Sequence, residues 1–391
     1  MGRLEAQSRN NEDLPLNEDD ERFGRAIGFA IIFAGKAHGM TLPVARGPLS
    51  AGALRLLSAE PSELPTVTVT DPLANDDLHM ALFLCYESHY RSIDGVGDSM
   101  EWDPTLLHFR AELELQFERG LRSAFASVPT CEPIDVQLRT LIESDDGPSL
   151  SSYLTRHGTV DMYREFAIHR SLYHLREADP HSFAIPRLQG RAKLALLEIQ
   201  HDEYGGGQEQ WMHSTLFATT MRGLGLDDTE GAYLDRLPGT TLATMNLMSL
   251  FGLHRRLRGA LVGHLAAFEM TSCTPNRRYG DGLRRLGFDE IVTRYFDEHV
   301  EADAAHASIA ATDLAGSLVD QEPSLDQDVV FGAAALLGLE ARVSAHLLNA
   351  WRQGWSSLYA IMPTERAPAG PDRRKGERTA SVRAHPHGVR T

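Results

Sequence analysis

His299, Asp303 and His306 stand four and three residues apart within the stretch Phe296-Asp-Glu-His-Val-Glu-Ala-Asp-Ala-Ala-His306. On a helix turning about 100° per residue, these three positions fall within an arc of roughly 60°. Two imidazoles and a carboxylate then project from one face into one small volume. Such a group needs water, mutual neutralisation or a metal ion. A His/Asp donor set suits borderline first-row ions such as iron, manganese and zinc. The plainer alternative is a solvated polar face, to which Asp297, Glu298 and Glu301 would contribute.

Two further carboxylates lie on long apolar segments. Glu269 follows Val262-Gly-His-Leu-Ala-Ala-Phe268, where its neighbours carry no charge, and a carboxylate in that setting is costly unless paired or ligated. Glu203 closes Leu196-Leu-Glu-Ile-Gln-His-Asp-Glu203, and His213 follows beyond three glycines. At ideal pitch His213 would point about 80° away from Glu203. A break softened by Gly205 to Gly207, or a π-bulge, would correct that phase. Glu198, five residues before Glu203, faces elsewhere on the same helix.

The elements needed to position these groups are helical. Apolar residues recur at three- and four-residue spacing over Asp77 to Tyr90, Pro104 to Phe125, Val160 to Glu177 and Arg191 to Tyr204. The same holds over Gln210 to Leu224, Thr241 to Met270, Phe288 to Ala311 and Val329 to Trp355. Breakers fall at Asp179-Pro-His, Gly205-Gly-Gly207, Thr274-Pro-Asn and Glu322-Pro-Ser. Thr66-Val-Thr-Val-Thr70 is the one strand-like alternation. The fold expected is all-α: a helical bundle over residues 151–360 with an N-terminal helical extension over 21–150. A mobile N-terminus (1–20) and a disordered basic tail (361–391) flank it.

Composition narrows the function classes. The chain has 391 residues, 42% of them apolar, and a net charge of −16, which argues against nucleic acid or an anionic membrane as partner. Cys85, Cys131 and Cys273 form no metal-type pair and point to a reducing, cytoplasmic setting. The longest apolar run near the N-terminus, Ala26 to Gly35, is too short to cross a bilayer.

A carboxylate helix, a histidine shortly after it, a second carboxylate helix and then His-x-x-x-Asp-x-x-His resemble the heme-oxygenase-like diiron oxidases and oxygenases. Cys85-Tyr-Glu-Ser-His-Tyr90, Asp202-Glu-Tyr-Gly-Gly-Gly207 and Phe296-Asp-Glu-His299 resemble the branch of that family known as iron-containing redox enzymes. The metal-bearing part of the likeness runs from about Glu165 to Leu314. The resemblance implies a heme-oxygenase-like bundle and six ligands: Glu203, His213, Glu269, His299, Asp303 and His306. It also implies an upstream carboxylate in some members, for which Glu177 and Glu165 compete. It implies two Fe(2+) per chain, dioxygen as co-substrate and an external reductant, since no flavin or nicotinamide motif is present. Heme is disfavoured: His169 or His174 could serve as a proximal ligand, but the cluster around Asp303 would then have no role.

Other residues carry weaker signals. Glu165 and His169 share a helix face and read as a helix-face hydrogen bond. Gly205 to Gly207 lacks the preceding strand and the Lys-Ser/Thr of a phosphate loop. Arg255, fourteen residues before Glu269, would share its face on one continuous helix and could grip a substrate carboxylate. Arg277 and Arg278 could line an entrance. Cys273 reads as packing, and Glu87 and His89, two residues apart, diverge too far to share an ion.

The function expected is oxygenation or oxidation of a small molecule by a non-heme diiron centre fed by an external electron donor. N-oxygenation of an amino-acid-derived amine is the first choice. Desaturation, C–C cleavage or decarboxylation of an amino or fatty acid is the alternative within that chemistry. Two other classes compete: a metal-free helical protein that binds a ligand or partner, and a mononuclear zinc hydrolase, which would need only three or four ligands around one ion. Long apolar helix faces also raise a homodimer.

Overall fold

The computed structural model describes residues 40–60, 63–126 and 130–360, with side chains throughout except at Asp303 and Ala304. The expected N-terminal segment (1–20), the run Ala26 to Gly35 and the tail (361–391) lie outside the described residues. Among those residues the structure is all-α. The alternation Thr66 to Thr70 forms no strand, and the sole β feature described is an isolated bridge between Met40 and Ile93.

The first four helices are α1 (Pro48–Leu57), α2 (Asp76–Glu87), α3 (Pro104–Ala124) and α4 (Ile134–Glu143). Local chemistry sets where they start. Asn75 caps α2 by accepting from the Leu78 amide, and Asp103 caps α3 ahead of Pro104, accepting from the amides of Thr105 and Leu106. Then follow α5 (Leu150–His157), α6 (Val160–His174), α7 (Asp179–Ser182), α8 (Gly190–Glu203) and α9 (His213–Gly223). The last five are α10 (Gly239–Leu253), α11 (Arg258–Arg285), α12 (Glu290–Ser308), α13 (Ser317–Gln321) and α14 (Asp326–Arg352). A π-helical segment, Ile309–Gly316, joins α12 to α13.

Helix α11 is the spine, packing along α12 and α14. Gly263 and Gly332 allow the close approach to α14: a Cβ at either would overlap a backbone carbonyl of the opposite helix, at Val329 or Ala260. Helices α1 and α2 pack on each other, and α2 also packs on α10, so Leu82, Leu84, Leu250 and Leu265 share one apolar core. A second apolar cluster gathers Tyr163, Phe217, Tyr295 and Trp351.

Two sequence expectations are corrected. The single helix expected over Thr241 to Met270 is two helices, because His254 is extended (φ −104°, ψ 111°) and its ring bonds Glu114 on α3 at 2.9 Å. The break expected at Thr274-Pro-Asn does not occur, since α11 runs through Pro275. A mid-helix proline costs about 3 kcal/mol, which the packing of α11 on α12 and α14 must offset. By length and composition Pro323–Arg352 could cross a bilayer, but 56% of its most apolar window is buried inside the fold.

Candidate metal centre

Helix α8 ends at Glu203, and the next residues are forced back on themselves. Gly205, Gly206 and Gly207 all have positive φ (66°, 60° and 80°), a region that suits glycine and strains other residues. At Gly205 a Cβ would lie 2.5 Å from the backbone of both Trp211 and Met212. This reversal sets His213 at the first turn of α9, with Nδ1 2.8 Å from Glu203 Oε2. The glycine break is what brings these two groups onto one volume.

Helices α11 and α12 and the turn after α6 bring further groups to the same place. Glu177, Glu203, His213 and His299 form one potential ligand group; Glu203, Glu269 and His306 form a second. Within each, one ligand atom per residue lies within 4.8 Å of the others. Glu203 belongs to both. All six residues are 1% to 7% exposed, too little for water to solvate three carboxylates. Asp303 lies on α12 between His299 and His306, and its side chain is outside the described residues. Of the two competing upstream carboxylates, Glu177 sits in the cluster. Glu165 is held elsewhere, accepting from the Trp351 indole at 2.8 Å and the Ser357 hydroxyl at 2.6 Å. Glu198 is exposed on the outer face of α8.

Neighbouring groups fix how the imidazoles face. His299 Nδ1 lies 2.8 Å from the Tyr295 carbonyl. A carbonyl only accepts, so Nδ1 carries a proton, and Nε2 faces Glu177 Oε1 at 3.6 Å. His306 Nε2 is 3.0 Å from Asp202 Oδ2, while Nδ1 faces Glu269 Oε2 at 3.4 Å. A carboxylate on the outer nitrogen of a ligating histidine fixes its tautomer and raises its basicity. The Tyr295 hydroxyl donates to Glu177, 3.0 and 2.9 Å from its two oxygens, and His174 Nδ1 contacts that hydroxyl.

The segment carrying Glu177 is anchored on both sides. Arg176 donates to both oxygens of Glu87 on α2, at 2.6 and 2.9 Å. Glu87, expected to have a structural role, thus grips the residue next to Glu177. Ala178 is left-handed (φ 73°), a conformation costing a non-glycine residue about 1–3 kcal/mol. Its carbonyl accepts from Gln200 Nε2 at 3.0 Å.

Charge balance in the metal-free site shows in the pKa shifts. Burial lowers the His306 pKa, but hydrogen bonds and charge from Glu269 and Asp202 prevail and raise it to about 9. For His213 burial also pulls down, and Glu203 outweighs it, leaving the pKa raised. Burial raises Glu177, yet His174 and His299 hold it well below the ordinary carboxylate range.

The residues fit a metal centre. Glu203 Oε2 and His213 Nδ1 are buried and 2.8 Å apart, yet neither has an aligned hydrogen bond among the described residues. His299 Nε2 faces the Glu177 carboxylate from the other side. Both arrangements are relieved by a cation between the groups. Three carboxylates and three imidazoles suit iron, and a carboxylate shared by two ligand groups is the arrangement of paired-metal helical bundles.

Residues 164–341 match the protein family described as iron-containing redox enzymes. This segment belongs to that family. The chain is also 30% identical over 146 residues to a nitrosourea synthase of Streptomyces achromogenes subsp. streptozoticus. That match covers 37% of this chain and 31% of the relative, so it speaks for less than a third of that protein. The family match supports an iron-containing oxidoreductase on the all-α heme-oxygenase-like fold.

A cavity of about 280 Å³ reaches this centre, walled by Glu177, His299 and Tyr295 at one end and by residues 147–151 at the other. Phe166, Phe217 and Phe268 supply apolar wall. Arg170 on α6 donates to both oxygens of Glu340 on α14, at 2.7 and 2.6 Å, beside the same space. Arg255 does not reach it. It is exposed on the short turn Arg255–Leu257 that precedes α11, so the helical phase expected between it and Glu269 does not exist. Arg277 and Arg278 are also absent from the wall, whereas Asn276 and Tyr279 contribute. Sequence reasoning missed Arg170, Glu340, Asp202 and Tyr295. Only Tyr295 had a signal, one helical turn before His299 on the same face.

Proposed function

We propose that this enzyme uses two iron ions and dioxygen to oxidise a small substrate, with N-oxygenation of an amino-acid-derived amine as the first choice. The observation that carries this reading is the pair of buried ligand groups joined at Glu203. Glu177, His213 and His299 would hold one ion, Glu269 and His306 the other, and Glu203 would serve both. When bound, iron supplies the dioxygen-activating redox chemistry, which no amino-acid side chain here can provide.

The protein's own part is orientation and exclusion of water. The Tyr295 carbonyl and Asp202 hold the outer nitrogens of His299 and His306, so that the inner nitrogens face the centre. Tyr295 fixes Glu177 by donating to it, while His174 and His299 keep it ionised. Phe166, Phe217 and Phe268 dry the space in which the substrate would sit. The Arg170–Glu340 pair offers a cation and an anion side by side, complementary to the carboxylate and ammonium of an amino acid. Arg170 thereby takes the part first expected of Arg255. Similarity to an enzyme named for a nitrosourea, a product containing oxidised nitrogen, favours nitrogen over carbon as the site of attack.

The test is a screen of amino-acid-derived amines and of fatty acids with iron-loaded protein, a chemical reductant and ¹⁸O₂. The reading predicts one ¹⁸O atom in an N-oxygenated amine. Labelled or desaturated fatty acid without any amine product would overturn the substrate choice.

A further inference from the structure

Besides His79, which bonds Pro72 and Asn246, three buried histidines among the described residues have no part in the metal centre: His169, His181 and His264, each at most 4% exposed. His169 lies in an oriented chain. The Glu165 carboxylate can only accept, so Ser357 donates its hydroxyl proton to it at 2.6 Å. His169 Nε2, 3.0 Å from that hydroxyl oxygen, is then the donor, and Nδ1 accepts from Thr241 Oγ1 at 2.7 Å. Every donor in the chain therefore points toward Glu165, which is half-buried.

The inner end of this chain opens on a cavity of about 20 Å³ walled by His169, Thr241 and His264. That is room for one water, which needs about 10–15 Å³. His264 Nδ1 then lies 3.1 Å from His181 Nε2. His181 in turn walls a second cavity, of about 10 Å³, together with Gln200, Glu203, Glu269 and His299. His181 Nδ1 and Gln200 Oε1 are both buried without a hydrogen-bond partner among the described residues. A donor-acceptor pair left open on one polar cavity is the setting that holds an ordered water.

We propose that Glu165, Ser357, His169, Thr241, His264 and His181, bridged by one water in each cavity, form a proton path from solvent to the Glu203/Glu269 side of the centre. It rests on the oxygen-activating reading. Transfer of one oxygen atom from dioxygen to a substrate reduces the other to water, consuming two electrons and two protons. The external reductant supplies the electrons, and this path supplies the protons. Burial holds all three imidazoles neutral, lowering His169 to about 3 and His181 to about 4, and His264 well below its ordinary value. A neutral imidazole has one donor and one acceptor nitrogen. Because the resting chain donates toward Glu165, inward delivery requires the Ser357 and Thr241 hydroxyls to turn and His169 to take a proton on Nε2 while releasing the one it then carries on Nδ1.

The path is tested first on metal-free full-length protein labelled with ¹⁵N-histidine. Spectra should show His169 protonated on Nε2. Ser357→Ala or His169→Phe should slow solvent exchange of the His181 and His264 ring N–H groups by on the order of tenfold. Unchanged exchange in both variants would overturn the path without reference to iron. In iron-loaded enzyme, His264→Gln and His264→Phe should both keep wild-type iron content and melting temperature, yet slow product formation by on the order of 100-fold with a larger solvent isotope effect. Restoration of turnover by Gln, which can hydrogen-bond but not relay, would reduce His264 to a structural role and sink the proposal. Wild-type protein that takes up no iron would overturn the functional reading instead.

Discussion

His213 Nδ1 and Glu203 Oε2 lie 2.8 Å apart although three left-handed glycines and a change of helix separate them in sequence. The contact depends on backbone more than on side chains. Gly205→Ala would place a Cβ against the backbone of Trp211 and Met212 at a positive φ. We expect a loss of about 1–3 kcal/mol in stability, measured by denaturant unfolding, together with weaker iron binding. Wild-type iron affinity in Gly205→Ala would show that the reversal does not position His213.

Sharing of Glu203 predicts unequal effects on metal content. Glu203→Ala removes a donor from both ligand groups and should leave well under one iron per chain. His306→Ala touches one group and should retain about one. Elemental analysis after anaerobic loading distinguishes the two. Equal losses would mean that Glu203 serves a single ion.

Iron uptake should release protons. In the metal-free protein the His306 pKa is raised to about 9, whereas ligation requires neutral imidazole. Between the ordinary histidine value and about 9, apparent affinity should rise with pH and each titration should acidify a weak buffer. The sign for stability is the opposite. The raised folded-state pKa stabilises metal-free protein fully below about 6.5, and this contribution is lost as pH climbs through about 9. A metal-free protein that gains stability over that range would contradict the assignment.

Asp202 holds the outer nitrogen of His306 from a half-exposed position. Asp202→Asn should weaken iron binding by about 10- to 100-fold with little change in melting temperature, measured by competition with a chelator. Wild-type affinity would mean that the His306 tautomer is set without Asp202.

Removing one partner of the Arg170–Glu340 pair leaves a largely buried charge. Glu340→Gln should cost about 2–4 kcal/mol, slightly below the range for fully buried pairs, and should raise KM for an amino-acid substrate more than it lowers kcat. A KM unchanged in this variant would remove the pair from substrate recognition.

Much of this centre was legible in the sequence because its spacing is local. His299 and His306 lie on one helix, and Glu203 and Glu269 stand out as carboxylates on apolar faces. The glycine run announced the reversal that brings in His213. What could not be read depends on tertiary contacts. His254 is drawn out of the helix by Glu114, which cancels the helical phase linking Arg255 to Glu269. Pro275 stays inside α11 because its neighbours hold that helix. Glu177 prevails over Glu165 because it sits on a strained turn gripped by Glu87 and Gln200, whereas Glu165 is occupied by Ser357 and Trp351.

The most direct test of the central claim is anaerobic titration of metal-free protein with ferrous iron, followed by mixing with oxygenated buffer. The account predicts saturation at about two irons per chain, a higher melting temperature and oxygen consumption that Glu203→Ala abolishes. Saturation at one ion, or no uptake with an unchanged melting temperature, would contradict it.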